Sequence, residues 1–170
     1  VNPINDVHLS IYQGHRWDNA ITNLTPSFVE RKKLVYDFEE ESSFSAGNEY
    51  RFFDSKSVRF YTERVQEIIR DSVDVVLLYP DVPWANQAYS FYPDIEGYFV
   101  PNILEKDDAR IEADYVWVNF CLQQNPFLDK GDLYLYGALT DWHLKEEAKL
   151  NYDERMGCYE TSLLLKQGYY

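Results

Sequence analysis

The sequence feature that most constrains the fold is a two-residue alternation of side-chain character in short segments. From Tyr115 to Leu122, aliphatic and phenylalanine side chains alternate with tyrosine, tryptophan, asparagine and cysteine. Leu133 to Tyr136 repeats the pattern as Leu-Tyr-Leu-Tyr, and Gly137 follows. Because successive side chains of a strand point to opposite faces, this period predicts two-faced β-strands. Gly137 frees the backbone to turn, so a loop is expected after the second strand.

Similar short segments recur along the rest of the chain. They predict strands at Val7–Ile11, Leu34–Phe38, Tyr50–Asp54, Val58–Tyr61, Val73–Tyr79, Tyr98–Val100, Tyr159–Leu165 and after Gly168. The spacing of Tyr61, Val65, Ile68 and Ile69 suits one face of a helix, but β-branched residues suit a strand equally well, and we predict a strand there. The polar stretch Arg16 to Pro26, which contains Trp17, predicts a long loop. The acidic run Glu39 to Glu41 predicts a solvated turn, and Lys145 to Arg155 reads as a polar interval between strands.

The aromatic content favours the same architecture. The chain has 15 Tyr, 10 Phe and 4 Trp, 17% of its residues, and such side chains suit pleated, half-buried surfaces. We therefore predict an all-β protein of two antiparallel β-sandwich domains in series. The charged segment Lys106 to Arg110 has no apolar periodicity, which places the boundary between residues 1–108 and residues 109–170.

The charge of the chain excludes two classes of partner. Its 29 acidic and 16 basic residues give a formal net charge of -13, which repels nucleic-acid phosphates and anionic lipid surfaces. No apolar run approaches the ~20 residues that a membrane-spanning helix needs, and no stretch resembles a signal peptide. Neither nucleic acid nor direct insertion into a membrane is expected.

The two cysteines, Cys121 and Cys158, both fall on predicted strands of the second domain. That placement allows a disulfide between them. Since they do not belong to a regular framework of cysteine spacings, we predict two buried free thiols instead.

No residue pattern in the chain indicates catalysis or metal binding. The histidines are His8, His15 and His143, and no serine sits in the glycine-flanked turn that presents a nucleophile. The acidic pairs do not follow the alternating ligand pattern of a calcium loop. We therefore predict a protein without catalytic residues, metal or cofactor.

Exposed aromatic rings are the one candidate binding feature. Sugar rings stack on tryptophan and tyrosine through their apolar faces, and the candidates here are Trp142, Tyr134 and Tyr136. A second group runs from Trp84 to Tyr92 and could instead contact another protein. Rings that fill a core or a domain junction remain the favoured interpretation for both groups.

The segment Gly137 to Trp142, followed by Tyr159 to Leu165 and by Gly168 to Tyr170, resembles glycogen-binding and early-set immunoglobulin-like modules. These modules share a Gly-x-Phe-x-x-Trp turn, and here Leu139 stands in place of the phenylalanine. The resemblance implies an immunoglobulin-like second domain that needs further strands after Tyr170, so we expect that domain to be incomplete in this chain. Among the sugar-stacking residues of such modules, only Trp142 has a match here.

A wider pattern is similar to the type IX secretion system plug protein of Bacteroidetes. It consists of Arg16–Ala20, Leu24–Phe28, Leu34–Asp37, Phe44–Asp54, Glu112–Tyr115 and Gly137–Trp142. The resemblance implies a non-enzymatic component of the cell envelope, located in the periplasm and associated with the outer membrane. Its partner would be the outer-membrane translocon barrel, whose periplasmic mouth such proteins are thought to close.

Two further functions stay open at this point. The first is a carbohydrate-binding module of an envelope protein that uses Trp142 and the neighbouring tyrosines. The second is a glycoside-processing enzyme whose active site lies outside this chain.

Overall fold

The computed structural model describes residues 2–44, 50–84, 88, 94–124 and 131–170. The chain is all-β, with short helical turns between strands. It divides into two compact units, Val1–Asn48 and Glu49–Tyr170.

The first unit contains two antiparallel strand pairs. Its elements are α1 (Pro3–Asp6), β1 (Leu9–Ile11), β2 (Ile21–Leu24), β3 (Phe28–Glu30) and β4 (Lys33–Val35). Strand β1 pairs with β2, and β3 pairs with β4. The predicted strands around β1 and β4 are confirmed, but β2 was expected to be part of a loop. That expectation is wrong because Ile21 and Leu24 lie opposite apolar partners in β1, and Leu24 is buried.

The second unit is built on a six-stranded sheet. Its elements are β5 (Val65–Ile69), β6 (Val75–Leu78), β7 (Val100–Pro101), α2 (Ala109–Glu112), β8 (Tyr115–Leu122), β9 (Leu133–Tyr134), β10 (Lys149–Asp153), β11 (Cys158–Lys166) and β12 (Gly168–Tyr169), with 3₁₀ turns at Ala138–Thr140 and Glu146–Ala148. The strand order of the sheet is β5-β6-β8-β11-β10-β9.

The central ladder of this sheet joins β8 to β11 over eight residue pairs, from Tyr159 opposite Leu122 to Lys166 opposite Tyr115. The alternation read from the sequence separates its two faces, as predicted. Val116 and Val118 of β8 point inward. They belong to a cluster of buried residues on that side of the sheet: Phe53, Val65, Val76, Leu78, Val116, Val118, Ala148, Leu163, Leu165 and Tyr170.

A short second strand layer contributes Phe53 and Tyr170 to this core. Strand β12 pairs with β7 on one side, and on the other side Phe53 and Tyr170 exchange backbone hydrogen bonds of 3.1 and 3.0 Å. The rings of Phe53 and Tyr170 stack with centroids 4.8 Å apart. Residues 52–54, which belong to the strand predicted at Tyr50–Asp54, therefore lie beside β12, although only Asp54 forms a β-bridge there.

Three predictions about the second unit are corrected by this arrangement. The sheet is not purely antiparallel, because β6 and β8 run parallel. Strand β10 occupies the interval that was expected to be polar connection, and Val58 to Tyr61 forms no strand. The chain divides into its two compact units after residue 48, whereas a boundary at residue 108 would separate β6 from β8, its partner in the sheet.

The two cysteines form a disulfide, with Cα atoms 5.8 Å apart. The prediction of two free thiols is therefore wrong. Cys121 lies near the end of β8 and Cys158 at the start of β11, and both are on the face of the sheet opposite the core. The bond is diagonal across neighbouring strands, a relation that depends on strand register and is not visible as a spacing in the sequence.

Candidate functional site

Trp142 lies at the centre of a group of aromatic rings in the second unit. The rings of Tyr50, Tyr98 and Tyr136 approach it edge to face, with centroids 5.9, 5.4 and 5.7 Å away. We call these four residues the Trp142 cluster. Trp142, Tyr50 and Tyr98 are half-buried, and Tyr136 is 38% exposed. Edge-to-face packing of this kind stabilises each pair by about 0.5–1.5 kcal/mol beyond the area that it buries.

Two glycines let the backbone approach this cluster closely. Gly97 has φ +74°, and a Cβ atom added to it would lie 2.7 Å from ring carbons of Tyr50 and 3.0 Å from Cη2 of Trp142. A Cβ atom on Gly137, where φ is +154°, would lie 3.0 Å from the carbonyl oxygen of Gly97. Ala138 donates a backbone hydrogen bond of 2.8 Å to the same oxygen. The turn at residues 96–97 is thereby joined to the start of the 3₁₀ turn at Ala138–Thr140.

The backbone around Trp142 is itself unusual. Asp141 and Trp142 both have positive φ angles, 52° and 59°, a conformation that costs a residue with a side chain roughly 1–2 kcal/mol. Backbone hydrogen bonds of 3.0 Å from Thr140 and Trp142 to the carbonyl of Gly137 hold the turn closed. A hydrogen bond from Lys145 keeps the pKa of the Asp141 carboxyl below its usual range.

Trp84 lies in a separate environment. The guanidinium carbon of Arg51 is 3.7 Å from the centroid of its ring, so one face of the indole makes a cation–π contact. Arg51 also forms an ion pair with Asp81 at 2.5 Å. The neighbouring residues Tyr50 and Arg51 thus contact the two tryptophans that the sequence singled out.

The structure brings together only part of the predicted set. Trp142 and Tyr136 are in contact, whereas Tyr134 lies in β9 opposite Lys149. Tyr89, Phe91 and Tyr92, the other rings of the second predicted group, fall outside the residues that the structure describes.

Sequence reasoning missed Tyr50 and Tyr98, which complete the Trp142 cluster. The turn at Asp94 to Gly97 was recognised, and its glycine is the signal that could have indicated a close packing contact. Nothing in the spacing of residues 50, 98 and 142 shows that they meet.

A shallow polar groove of about 510 Å³ lies beside β10 and β11. Its lining includes Asn119, Asn151, Tyr152, Arg155, Glu160 and Ser162. Asn119 donates a hydrogen bond of 3.2 Å to the hydroxyl of Ser162 across the β8–β11 ladder. The groove offers amide, hydroxyl and carboxylate groups to a polar ligand.

The described part of the chain was found to have neither a metal-binding cluster nor a membrane-spanning helix. No group of three or more histidine, cysteine, aspartate or glutamate side chains there is arranged to hold a metal ion. No helix in those same segments has the length and apolarity needed to cross a membrane.

Comparison with known proteins gives a structural relative. No protein-family model matches the chain, and no curated protein matches it either. Among solved structures, a hypothetical protein from Parabacteroides merdae ATCC 43184, whose crystal structure was determined at 2.30 Å, aligns with 100% of this chain at 33% sequence identity and a TM-score of 0.88. This chain spans 43% of that one. The two proteins therefore share the fold of the whole segment described here, within a relative more than twice as long.

Proposed function

We propose that the chain is a non-enzymatic component of the type IX secretion apparatus, which binds the periplasmic mouth of the outer-membrane translocon barrel and closes it. A plug of this kind needs a rigid scaffold and an interaction surface, and no reactive group. We further propose that the second unit belongs to an immunoglobulin-like sandwich of the early-set type.

The main support for the proposal is the position of the residues that form the plug-like motifs. Phe53 of the Phe44–Asp54 segment is 4% exposed and packs in the core. Asp54 beside it is also buried and pairs with Lys56 at 2.6 Å. Gly137 and Trp142 of the second motif form the turn and the centre of the Trp142 cluster. These residues build a scaffold, which agrees with a protein that acts by binding.

The disulfide supports an envelope location. Cys158 is fully buried and bonded to Cys121, and structural disulfides persist in oxidising compartments such as the bacterial periplasm. A periplasmic protein associated with the outer membrane meets that condition. The similar chain from Parabacteroides merdae, a member of the Bacteroidetes, comes from the group of bacteria to which the plug family belongs.

Carbohydrate binding is the weaker candidate on the geometry of its proposed residues. Trp142 is surrounded by three tyrosine rings, and Arg51 lies over the ring of Trp84. Both indoles therefore have internal packing partners that a stacked sugar would have to adjoin or displace. Trp142 contributes to the scaffold whether or not a glycan binds.

Affinity purification from a native extract tests the proposal. The tagged full-length protein, recovered from detergent-solubilised membranes under mild conditions, is expected to bring with it a large outer-membrane barrel. The untagged strain serves as the control for non-specific capture. Recovery in the cytoplasmic fraction, with no barrel bound, would reject the proposal.

A glycan titration distinguishes the carbohydrate-binding module from the plug. If the protein is a carbohydrate-binding module, maltooligosaccharide should change its tryptophan fluorescence, and Trp142→Ala should abolish that change. The plug proposal predicts no response in either protein.

A further inference from the structure

The face of the six-stranded sheet opposite the core carries a row of apolar side chains. Ile69 lies opposite Val75, Val75 opposite Trp117, and Trp117 opposite Leu164. These four residues, the Trp117 row, cross β5, β6, β8 and β11 at one level of the sheet. Ile69 is 45%, Trp117 41% and Leu164 46% exposed. Four neighbouring strands thus present apolar side chains to solvent where an outward face is normally polar.

The surroundings of the row resemble those of a buried interface. Tyr115, two residues before Trp117 on the same strand, lies on the same face and is also exposed. On the other side of the row are Asn119 and Ser162, which begin the polar groove. An apolar centre that contains tryptophan and tyrosine, with a polar margin, is the composition that interfaces favour.

The size of this surface argues against a free-standing partner. At these exposures, five side chains of this size offer on the order of 500 Å² of apolar surface. A stable complex of separate proteins takes about 800 Å² from each partner. A contact between domains of one chain totals only about 600–1,500 Å², because linked domains lose little translational freedom on docking.

The charge of this chain and the length of its relative both favour a docking partner within the same polypeptide. A second copy would also carry a net charge of -13, and two such molecules repel each other. In the relative from Parabacteroides merdae, more than half of the polypeptide lies outside the part matched by this chain. An apolar sheet face can be buried against a second sheet, with the two packed about 10 Å apart, and the segment matched between the two proteins is itself all-β.

We propose that the Trp117 row is the docking surface for a further β-domain of the same polypeptide, in a protein of the relative's length. The docked domain packs an apolar sheet face against Trp117 and Leu164. Its margin contacts the polar groove, where Asn119, Glu160 and Arg155 supply hydrogen-bonding groups.

Hydroxyl-radical labelling of the complete gene product, read by mass spectrometry, tests this assignment. Labelling reports the solvent exposure of each side chain without any substitution. After correction for the intrinsic reactivity of each residue type, the labelling of Ile69, Trp117 and Leu164 is expected to be several-fold lower than that of Phe60 and Tyr61, which are 65% and 69% exposed and lie outside the sheet. Equal labelling of the two groups overturns the proposal.

A charge placed on the surface should release the domain. In the complete protein, Leu164→Asp is expected to restore the labelling of Trp117, whereas Phe60→Asp, the matched control at another exposed apolar side chain, leaves Trp117 protected.

Two other outcomes would identify a different partner. Protection of Trp117 that disappears on dilution identifies a second copy of the protein as the occupant. Protection found only in a membrane extract identifies a separate partner. Either of these two results overturns the assignment to the same polypeptide.

Discussion

At the scale of single residues, the packing of the Trp142 cluster requires a glycine at position 97. Gly97 is in the left-handed region, and the rings of Tyr50 and Trp142 occupy the space that a Cβ atom would take. Gly157 has a similar backbone angle, φ +69°, but nothing lies within 4 Å of its Cβ position. The two glycines therefore share a backbone requirement and differ only in packing.

This difference predicts unequal effects of the same substitution. Gly157→Ala should destabilise the protein by about 1 kcal/mol through backbone strain alone. Gly97→Ala should cost about 1–3 kcal/mol more, because the tyrosine and tryptophan rings must also shift. Urea unfolding measures both values. Equal losses for the two variants would show that the cluster is not closely packed around Gly97.

Tyr170 is a residue whose ionisation is coupled to folding. Its side chain is 5% exposed and its hydroxyl donates a hydrogen bond of 2.6 Å to the carbonyl of Lys166. Burial, together with the nearby Tyr115, raises the pKa of Tyr170. Since the folded pKa lies above the unfolded value of about 10, the stability from the neutral phenol is fully present below that pH. It is lost as the pH rises towards the folded pKa.

Tyr170→Phe should therefore flatten the pH dependence of stability. At neutral pH the variant should lose about 1 kcal/mol with the hydrogen bond. Between about pH 8 and pH 11, its free energy of unfolding should fall less than that of the wild-type protein. The comparison requires denaturant unfolding of both proteins at each pH. Parallel declines would mean that Tyr170 ionises with an ordinary pKa.

At the scale of elements, the disulfide fixes the central ladder. Cys121 and Cys158 are 37 residues apart in sequence, and the loop between them contains β9 and β10. Closing a loop of that length in the unfolded chain stabilises the folded state by about 4 kcal/mol in the chain-entropy model.

Removing this bond should lower stability by about 4 kcal/mol. Urea unfolding with and without a reductant measures the loss in the wild-type protein. A variant with both cysteines replaced by serine serves as the control, because its free energy of unfolding should be the same with and without the reductant. If the reductant leaves the wild-type unfolding curve unchanged, the bond does not contribute to stability.

Comparison of the observed strands with the predicted ones shows which structural features this sequence predicts. The long alternation of Tyr115–Leu122 predicted β8 and both of its faces, because a period of two has one structural meaning over eight residues. Strand β10 was missed because Lys149–Asp153 has only one buried side chain, Leu150, and gains its structure from pairing with β11. The parallel alignment of β6 and β8, the disulfide and the contacts of Trp142 all join distant segments, so local patterns carried no signal for them.

At the scale of the whole chain, the second unit is defined by strands from both sides of the predicted boundary. Val76 in β6 and Val118 in β8 are opposite each other in the sheet and both are fully buried. A fragment of residues 49–170 keeps this pairing and the core cluster, whereas residues 109–170 lose β5, β6 and Phe53.

Expression of the two fragments tests this division. Residues 49–170 should unfold cooperatively in urea and show dispersed amide NMR signals. Residues 109–170 should lack a cooperative transition, because the inner faces of β8 and β11 have lost their packing partners. A cooperatively folded fragment of residues 109–170 would restore the boundary at residue 108.

We propose that the molecule closes a translocon barrel, and ion conductance measures that closure directly. The purified barrel is inserted into a planar lipid bilayer, and the full-length protein is added first to one side and then to the other. The plug proposal predicts that conductance falls when the protein is added on the periplasmic side and is restored when it is washed out. Unchanged conductance at saturating protein on either side would contradict it.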